Sequence, residues 1–404
     1  MDDRIEVDVC VVGAGPVGGV LACRMAAAGV RVAILDRAAL PPMEHPDFDG
    51  RAYAIAGGSR ALLEQAGLWQ RLPYAPGPIR DIRVTDGRVG RAAGPLFLHF
   101  GAAEAGAEAF GWMIEARSLR MALNTALHGQ NLLSVFAPAA ATVTRAADGA
   151  VVRITGGPQI AARLVVAAEG RNSRLRQEAG IRVTRFPYRQ TGLVCAIAHD
   201  RPHHGVALEH FLPAGPFAQL PMAATEAAAN TSAIVWTERP EVAAQLMALP
   251  DDAYARQLAR RLGDHLGAIR LIGRRWSYPL GALHAHHYTA ERLALVGDAA
   301  HGIHPIAGQG LNLGLRDAAL LATLAAAAVA AGEDPGAPAL LARYQAARRP
   351  DSLMMLAATD ALDRLFSTDS RLIRAARDLG IAAVHRLPPL KRLFMRQAMG
   401  LREA

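Results

Sequence analysis

Residues 292–331 read RLALVGDAAHGIHPIAGQGLNLGLRDAALLATLAAAAVAA, and the fold turns on how this stretch is read. Residues 293–296 are an apolar run too short for a helix and rich enough for a buried strand. Gly297 and Asp298 end it, and the loop holding Gly302, Pro305, Gly308 and Gly310 cannot be helical throughout. From Leu311 the apolar spacing becomes helical and continues for about five turns. Strand, carboxylate, glycine loop and helix start predict a concave pocket with one acid and several backbone N–H groups at its mouth. The positive end of a helix suits a group that becomes anionic during a reaction.

The N-terminus supplies a second unit of the same kind. Residues 7–12 read as a strand buried on both faces, and Gly13-Ala14-Gly15-Pro16-Val17-Gly18 follows at once. A helix over 16–28, closed by Gly29, leads to a second buried strand over 30–35 that ends in Asp36. This is GxGxxG between a strand and a helix. Gly13 permits the tight turn, Gly15 lets backbone approach a pyrophosphate, and Gly18 lets helix and strand pack closely. Asp36 stands where a carboxylate can hold ribose hydroxyls. The frame predicts an adenine dinucleotide site without choosing between NAD and FAD.

Composition sets bounds on the rest. A chain of 404 residues with 51% hydrophobic content has room for two or three cores. The net charge of +8 is carried almost wholly by arginine, and most of the excess lies after Arg371. The body is near neutral and shows no nucleic-acid motif, so no nucleic-acid partner is expected. Cys10, Cys23 and Cys195 are isolated in apolar runs and read as small buried hydrophobes of a reducing cytoplasm. The first residues leave no room for a signal peptide before the first strand. The alanine-rich run over 318–331 reads as too short and too weakly apolar to span a bilayer. His284, His286 and His287 lack supporting ligands and read as surface residues of a loop, so no metal is expected. His301 and His304 flank the glycine loop, as site-lining or as plain loop residues.

In the middle of the chain Arg51 precedes a helix around 58–67, as a phosphate or cofactor contact or as an ordinary surface arginine. A strand over 109–115 leads to a helix over 117–127. Arg117 falls in the first turn of that helix, where the dipole does not favour a cation, which suggests an anionic partner. Residues 164–168 form another buried strand ending in Glu169-Gly170. Segments 191–199, 206–212, 216–222 and 230–237 then alternate or run apolar between Gly, Pro and Asn breaks. They read as antiparallel strands of a different sheet, followed by helices at about 241–248 and 251–266. A pocket between such domains is where a lipophilic ligand binds.

Three separated signatures line up: Gly13-x-Gly15-x-x-Gly18, Glu169-Gly170, and Gly297-Asp298-Ala299-Ala300-His301 with Pro305. Together they resemble the single-component FAD aromatic hydroxylases, the para-hydroxybenzoate hydroxylase class. The closer likeness is to the ubiquinone-biosynthesis hydroxylases, the 2-polyprenyl-6-methoxyphenol hydroxylase-like group. It is carried by Phe48-Asp49-Gly50-Arg51-Ala52, by the run from His304 to Asp317, and by Pro389-Leu390-Lys391-Arg392. The resemblance implies an α/β fold: a doubly wound, Rossmann-like FAD-binding domain (1–75, 109–180 and 285–345), an inserted antiparallel-sheet substrate domain (76–108 and 181–284), and a C-terminal helical region (346–404). It also implies FAD as cofactor, NAD(P)H as reductant, and hydroxylation of a polyprenylated phenol with O₂ through a flavin C4a-hydroperoxide. The cofactor-binding set so expected is Gly13, Gly15, Gly18, Asp36, Arg37, Arg51, Arg117, Glu169, Gly297, Asp298, Pro305, Gly308, Gln309, Gly310, Leu311 and Asn312. Within it Asp298 would meet the ribityl chain, and residues 308–312 the flavin ring. Two departures stand out. The family more often has Glu where this chain has Asp36, and Asp-Gly where it has Glu169-Gly170. No catalytic base is identified, and no second GxGxxG unit offers a separate NADPH domain.

Residues 369–384 can form a helix with an apolar arc and an arginine arc. With Lys391, Arg392 and Arg396 this basic tail reads as a contact for the anionic inner face of the cell membrane, a dock for other ubiquinone-pathway proteins, or a helix packed on its own core. Two rival functions stay open: a hydroxylase of small water-soluble phenols or a prenyl-chain reductase on the same scaffold, and a non-catalytic pathway scaffold.

Overall fold

The computed structural model describes residues 4–40, 47–87, 89, 97–225, 228–305, 308–366, 395 and 399. Strand Arg4–Val12 is the centre of the first sheet. It pairs in parallel with Val32–Leu35 on one side and Gln159–Ala167 on the other. Leu133–Phe136 and Leu293–Leu295 extend the parallel sheet outward. Strands buried on both faces need no polar alternation, which is why these read as continuous apolar runs. Helix Pro16–Ala27 covers one face, held in the main core with helix Gln309–Ala330.

The second sheet has eight strands. Its backbone is the pair of long antiparallel strands Val183–His199 and Ile269–Ala285, continued by Thr231–Glu238, Gly215–Met222, Val206–Leu212, Asp81–Asp86 and Phe97–Gly101. Helices Pro240–Met247 and Asp251–Leu262 cover one face of it, over Leu193, Cys195, Phe217, Ile234 and Trp236. The other face turns toward the first sheet. A small third sheet, Ala52–Ala56, Gly111–Glu115 and Gly77–Ile79, lies between.

Several elements differ from the sequence reading. The strand expected over 191–199 begins at Val183, and its partner Ile269–Ala285 was not anticipated. His284 lies inside that partner strand and is buried, against the expectation of a surface loop; burial lowers its pKa to about 4. The helix expected to end at 266 stops at Leu262, where Gly263 takes a positive φ. Gly77–Ile79 pairs with Gly111–Glu115 rather than with the second sheet, and helix Pro338–Phe366 runs through the expected boundary at 345/346. Helix Gln309–Ala330 is, by length and composition, able to cross a membrane, contrary to the reading of its alanine run. Half of its most apolar window is buried, and the buried Asp317 lies on it, so it serves as a core helix. The three cysteines are buried, and burial pushes each thiol up to about 12. The helix expected over 369–384 lies outside the described residues.

Candidate functional site

Strand Arg4–Val12 ends at a turn fixed by backbone bonds. Gly13 N donates to Leu35 O at 2.7 Å, and Ala168 N to Val12 O at 2.8 Å. Gly13 has φ +109°, and a Cβ there would stand 2.4 Å from Ala168 O. Gly18 is excluded from change for another reason: its Cβ would lie 2.0 Å from Gly13 O. Gly15 meets neither obstacle. A Cβ on it would project into open space, at the N-terminus of helix Pro16–Ala27. Asp36 braces the turn, Oδ2 accepting from Ala14 N at 2.8 Å and Oδ1 from Ala38 N at 2.9 Å. A carboxylate has about four lone-pair sites, so capacity remains for a ribose hydroxyl.

The turn opens on a cavity of about 1720 Å³ between the two large sheets. A site for one small molecule occupies roughly 300–1,000 Å³, so this space holds a cofactor and a second ligand together. Gly13, Gly15, Asp36, Arg37, Glu169, Asp298, Pro305, Gly308, Gln309, Gly310, Leu311 and Asn312 all line it. The helix of the opening stretch starts at Gln309, earlier than expected, because Gly308 takes φ +62° and caps it. Two helix N-termini therefore face one cavity, each favouring negative charge.

The remaining four expected residues stand off the lining. Gly18 and Gly297 act by packing, and Gly297 N donates to Asp317 Oδ2 at 3.0 Å. Arg51 pairs with Asp49 at 2.6 Å and lies over the Trp276 ring. Arg117 is buried against Glu115 at 2.5 Å and over Tyr74, so the anion that offsets its dipole position includes a neighbour two residues away. Asn312 reaches the lining, yet its side chain binds Ala54 O, Gly308 O and Ala56 N, each at 3.0 Å. It staples the helix start to strand Ala52–Ala56.

Glu169 is explained by the same kind of accounting. Its Oε2 accepts from Ser173 Oγ at 2.6 Å and Leu175 N at 3.0 Å. The longer side chain folds back to brace the start of helix Arg174–Glu178, and the departure from Asp-Gly has a structural use. Arg171, not singled out in the sequence, lines the cavity and pairs with Asp298 at 3.2 Å while donating to Gly281 O at 2.9 Å. Arg120 was also missed. One turn beyond Arg117, it donates to Ala14 O at 3.1 Å and brings a cation to the glycine turn. The clue was the i, i+3 spacing of two arginines on one helix face.

Beneath the loop, Asp317 is fully buried. It accepts from Arg348 Nε at 2.6 Å and lies 2.6 Å from His301 Nε2. Burial raises its pKa, but His301 and Arg348 outweigh that and hold the carboxyl below the usual range. His304 is buried against Tyr188 and Gln190, and burial lowers it to about 4. Neither histidine lines the cavity.

The far wall is apolar. Ile82, Val84, Leu98, Phe100, Ala207, Phe211, Ala218, Val235 and Val194 line it from the second sheet, with Glu209 among them. Burial pushes the Glu209 carboxyl up from 4.5 to about 7. The folded state then holds the proton more tightly than the unfolded one, so stability falls as pH rises from about 4.5 through about 7. Glu209→Gln should abolish that fall, gaining at most about 3 kcal/mol at pH 8 and nothing at pH 4. Denaturant unfolding at the two pH values measures it.

A dinucleotide turn that opens on a large apolar chamber defines a cofactor-dependent enzyme of lipophilic substrates. Residues 6–359 match the FAD-binding domain family, and the chain belongs to it. It is 50% identical over 394 residues to the ubiquinone hydroxylase UbiL of Rhodospirillum rubrum, covering 97% of this chain and 89% of that one. With the 3-demethoxyubiquinol 3-hydroxylase of Escherichia coli identity is 32%, covering 98% of each. Among solved structures, PqsL of Pseudomonas aeruginosa, a probable FAD-dependent monooxygenase, superposes with TM-score 0.76 at 24% identity, covering 94% of this chain and 100% of that one. The p-nitrophenol 4-monooxygenase PnpA of Pseudomonas putida gives 0.77 at 19% identity, over 99% and 100%. The open space at Gly15, Gly170 and Gly310, the spare capacity of Asp36 and the paired helix N-termini fit FAD.

Proposed function

We infer that this chain is an FAD-dependent monooxygenase that hydroxylates a polyprenylated phenol in ubiquinone biosynthesis, consuming O₂ and NAD(P)H. The observation that carries the reading is the single cavity that joins a glycine cradle to an apolar chamber. The names of the relatives supply the substrate class. Bound FAD supplies the redox chemistry that activates O₂. The chain's own residues do the rest. Gly13, Gly15 and the helix N-terminus at Pro16 receive the pyrophosphate, Asp36 the ribose, and Asp298 the ribityl hydroxyls. The helix start at Gln309 stabilises negative charge on the flavin ring, and the apolar sheet face holds the prenylated ring and excludes water.

Deleting the gene in its host should cause a prenylated phenol lacking one ring hydroxyl to accumulate. Accumulation of no prenylated precursor would overturn the reading, and faster turnover of a small water-soluble phenol by the purified protein would redirect it to the rival substrate class. Asp298→Ala should purify with less than about a tenth of its flavin, since a hydrogen bond to a charged group contributes about 1.5–3 kcal/mol. Full flavin content would remove Asp298 from the site.

The basic tail supports a peripheral position on the anionic inner face of the cell membrane, where a prenylated substrate resides. Removing residues 371–404 should lower co-sedimentation with anionic vesicles; unchanged binding would end that part of the proposal.

A further inference from the structure

Strand pairing builds one continuous row across the chamber wall. Leu98 faces Val84, Val84 faces Glu209, Glu209 faces Ala218, Ala218 faces Val235, and Val235 faces Val194. Side chains alternate across a sheet, so the row and the residues two positions away share the chamber face. Among the described side chains that line the chamber from that face Glu209 is the one carboxylate, and its polar company is Thr237 and the Tyr278 hydroxyl, both in the row that crosses Gly192. No hydrogen bond or ion pair engages the Glu209 carboxylate among the described residues. On the neighbouring strands His210, Asp81, His99 and Arg83 lie on the other face. His210 is held to Thr85 at 2.6 Å, Asp81 to His99 at 2.8 Å, and Arg83 acts on His265 of the helical side. Phe110, Met113 and Met395 line the same chamber from other elements and bring no charge to it, and Tyr53 and Tyr278 are its titratable hydroxyls. The other charged lining residues, Asp36, Arg37, Glu169, Arg171, Arg174 and Asp298, belong to the cofactor end.

A carboxylate on an apolar wall costs stability, and Gln or Leu would fit the same strand without that cost. The cost is repaid if a ligand brings the missing donor. The geometry points to Glu209 as the residue that recognises the substrate's ring hydroxyl, its carboxylate accepting the phenolic O–H and drawing off that proton as the ring is oxygenated. The proton moves to the Glu209 carboxylate, and the O–H electron pair, left on the phenolic oxygen, pushes ring electrons toward the carbon that bonds one atom of O₂. The O–O bond breaks, the other atom leaves as water with the two electrons that NAD(P)H supplies, and the ring carbon then releases its own proton. Burial pushes the Glu209 carboxyl up to about 7, which makes it a better acceptor than an ordinary carboxylate. This inference rests on the phenol reading above and adds to it the group that selects a free hydroxyl.

The test compares binding of 2-geranylphenol and its O-methyl ether to the FAD-loaded protein, read from the flavin absorbance across pH 5.5–8.5. Wild type should prefer the phenol by about tenfold or more at high pH, the magnitude of a hydrogen bond to a charged group. The preference should shrink as pH falls through about 7. Glu209→Gln should keep its flavin, cut the preference to about twofold and lose the pH dependence. Glu209→Asp, with a carboxylate set back by one methylene, should keep the pH dependence with a weaker preference. Full preference and full pH dependence in Glu209→Gln, or an unaltered preference in Glu209→Asp, would overturn the assignment. Failure of wild type to bind either ligand would instead overturn the phenol reading, and this inference with it.

Discussion

Asp317→Ala should lower the free energy of unfolding by about 3 kcal/mol, because it removes one of the two carboxylates that hold the buried Arg348 guanidinium, the other being Asp351 at 2.5 Å. Arg348 donates to Asp317 Oδ1 at 2.6 Å, and Arg348 and Asp317 are both almost wholly inaccessible. The same carboxylate holds Gly297 N–H and lies against His301, so its loss also frees the strand end that carries Asp298. Flavin should be lost together with stability. Asp317→Asn, which keeps the shape and part of the hydrogen bonding, should cost less. The sign of the pH effect follows from the depressed pKa. The stabilisation is fully present above the ordinary carboxylate value of 3.8 and is lost as pH falls through the lower folded value. Urea unfolding of the FAD-loaded protein, followed by tryptophan and flavin signals, measures both effects. A loss below about 1 kcal/mol, the range of an exposed pair, would mean that the network does not hold the loop.

Gly13→Ala and Gly15→Ala should part company sharply, though only Ala14 lies between them. At Gly13 a methyl group must adopt φ +109° and stand 2.4 Å from a carbonyl oxygen. Strain of this kind costs about 1–3 kcal/mol before the clash is counted. The variant should be poorly folded and free of flavin. At Gly15 the backbone φ is −66° and the methyl group meets no protein atom within 4 Å. That variant should fold with stability within about 0.5 kcal/mol of wild type and still bind FAD more weakly by tenfold or more, because the methyl occupies the place of the cofactor. Equal FAD affinity in wild type and Gly15→Ala would show that no cofactor approaches the backbone there.

The asymmetry between these glycines was half visible in the sequence. GxGxxG between a buried strand and a helix implies a tight turn, an open approach and a close packing, because backbone sterics act over a few residues. The same locality made the parallel strands legible, and the glycine loop before the alanine-rich helix. It failed for long-range partners. The strand Ile269–Ala285 has mixed polarity along its exposed half and acquires its identity from Val183–His199. Glu169 and Asn312 read as cofactor contacts in the sequence; both line the cavity, and their side chains also close a helix start and a loop, a use the sequence does not show. Arg51 and Arg117 carried the right charge, but Asp49 and Glu115 hold them off the lining.

By itself the sequence determined the dinucleotide fold, the two glycine-rich strand ends and the mixed two-sheet plan, since each rests on local periodicity and turn chemistry. Only the tertiary structure decided which side chains face the cavity and which are spent on the fold. Glu209 shows the reason. In sequence it is one acid in an alternating strand, and only the pairing of five neighbouring strands surrounds it with apolar side chains and turns it toward the chamber. Its chemistry is a property of those neighbours, because burial, and no residue beside it in the chain, sets its affinity for a proton.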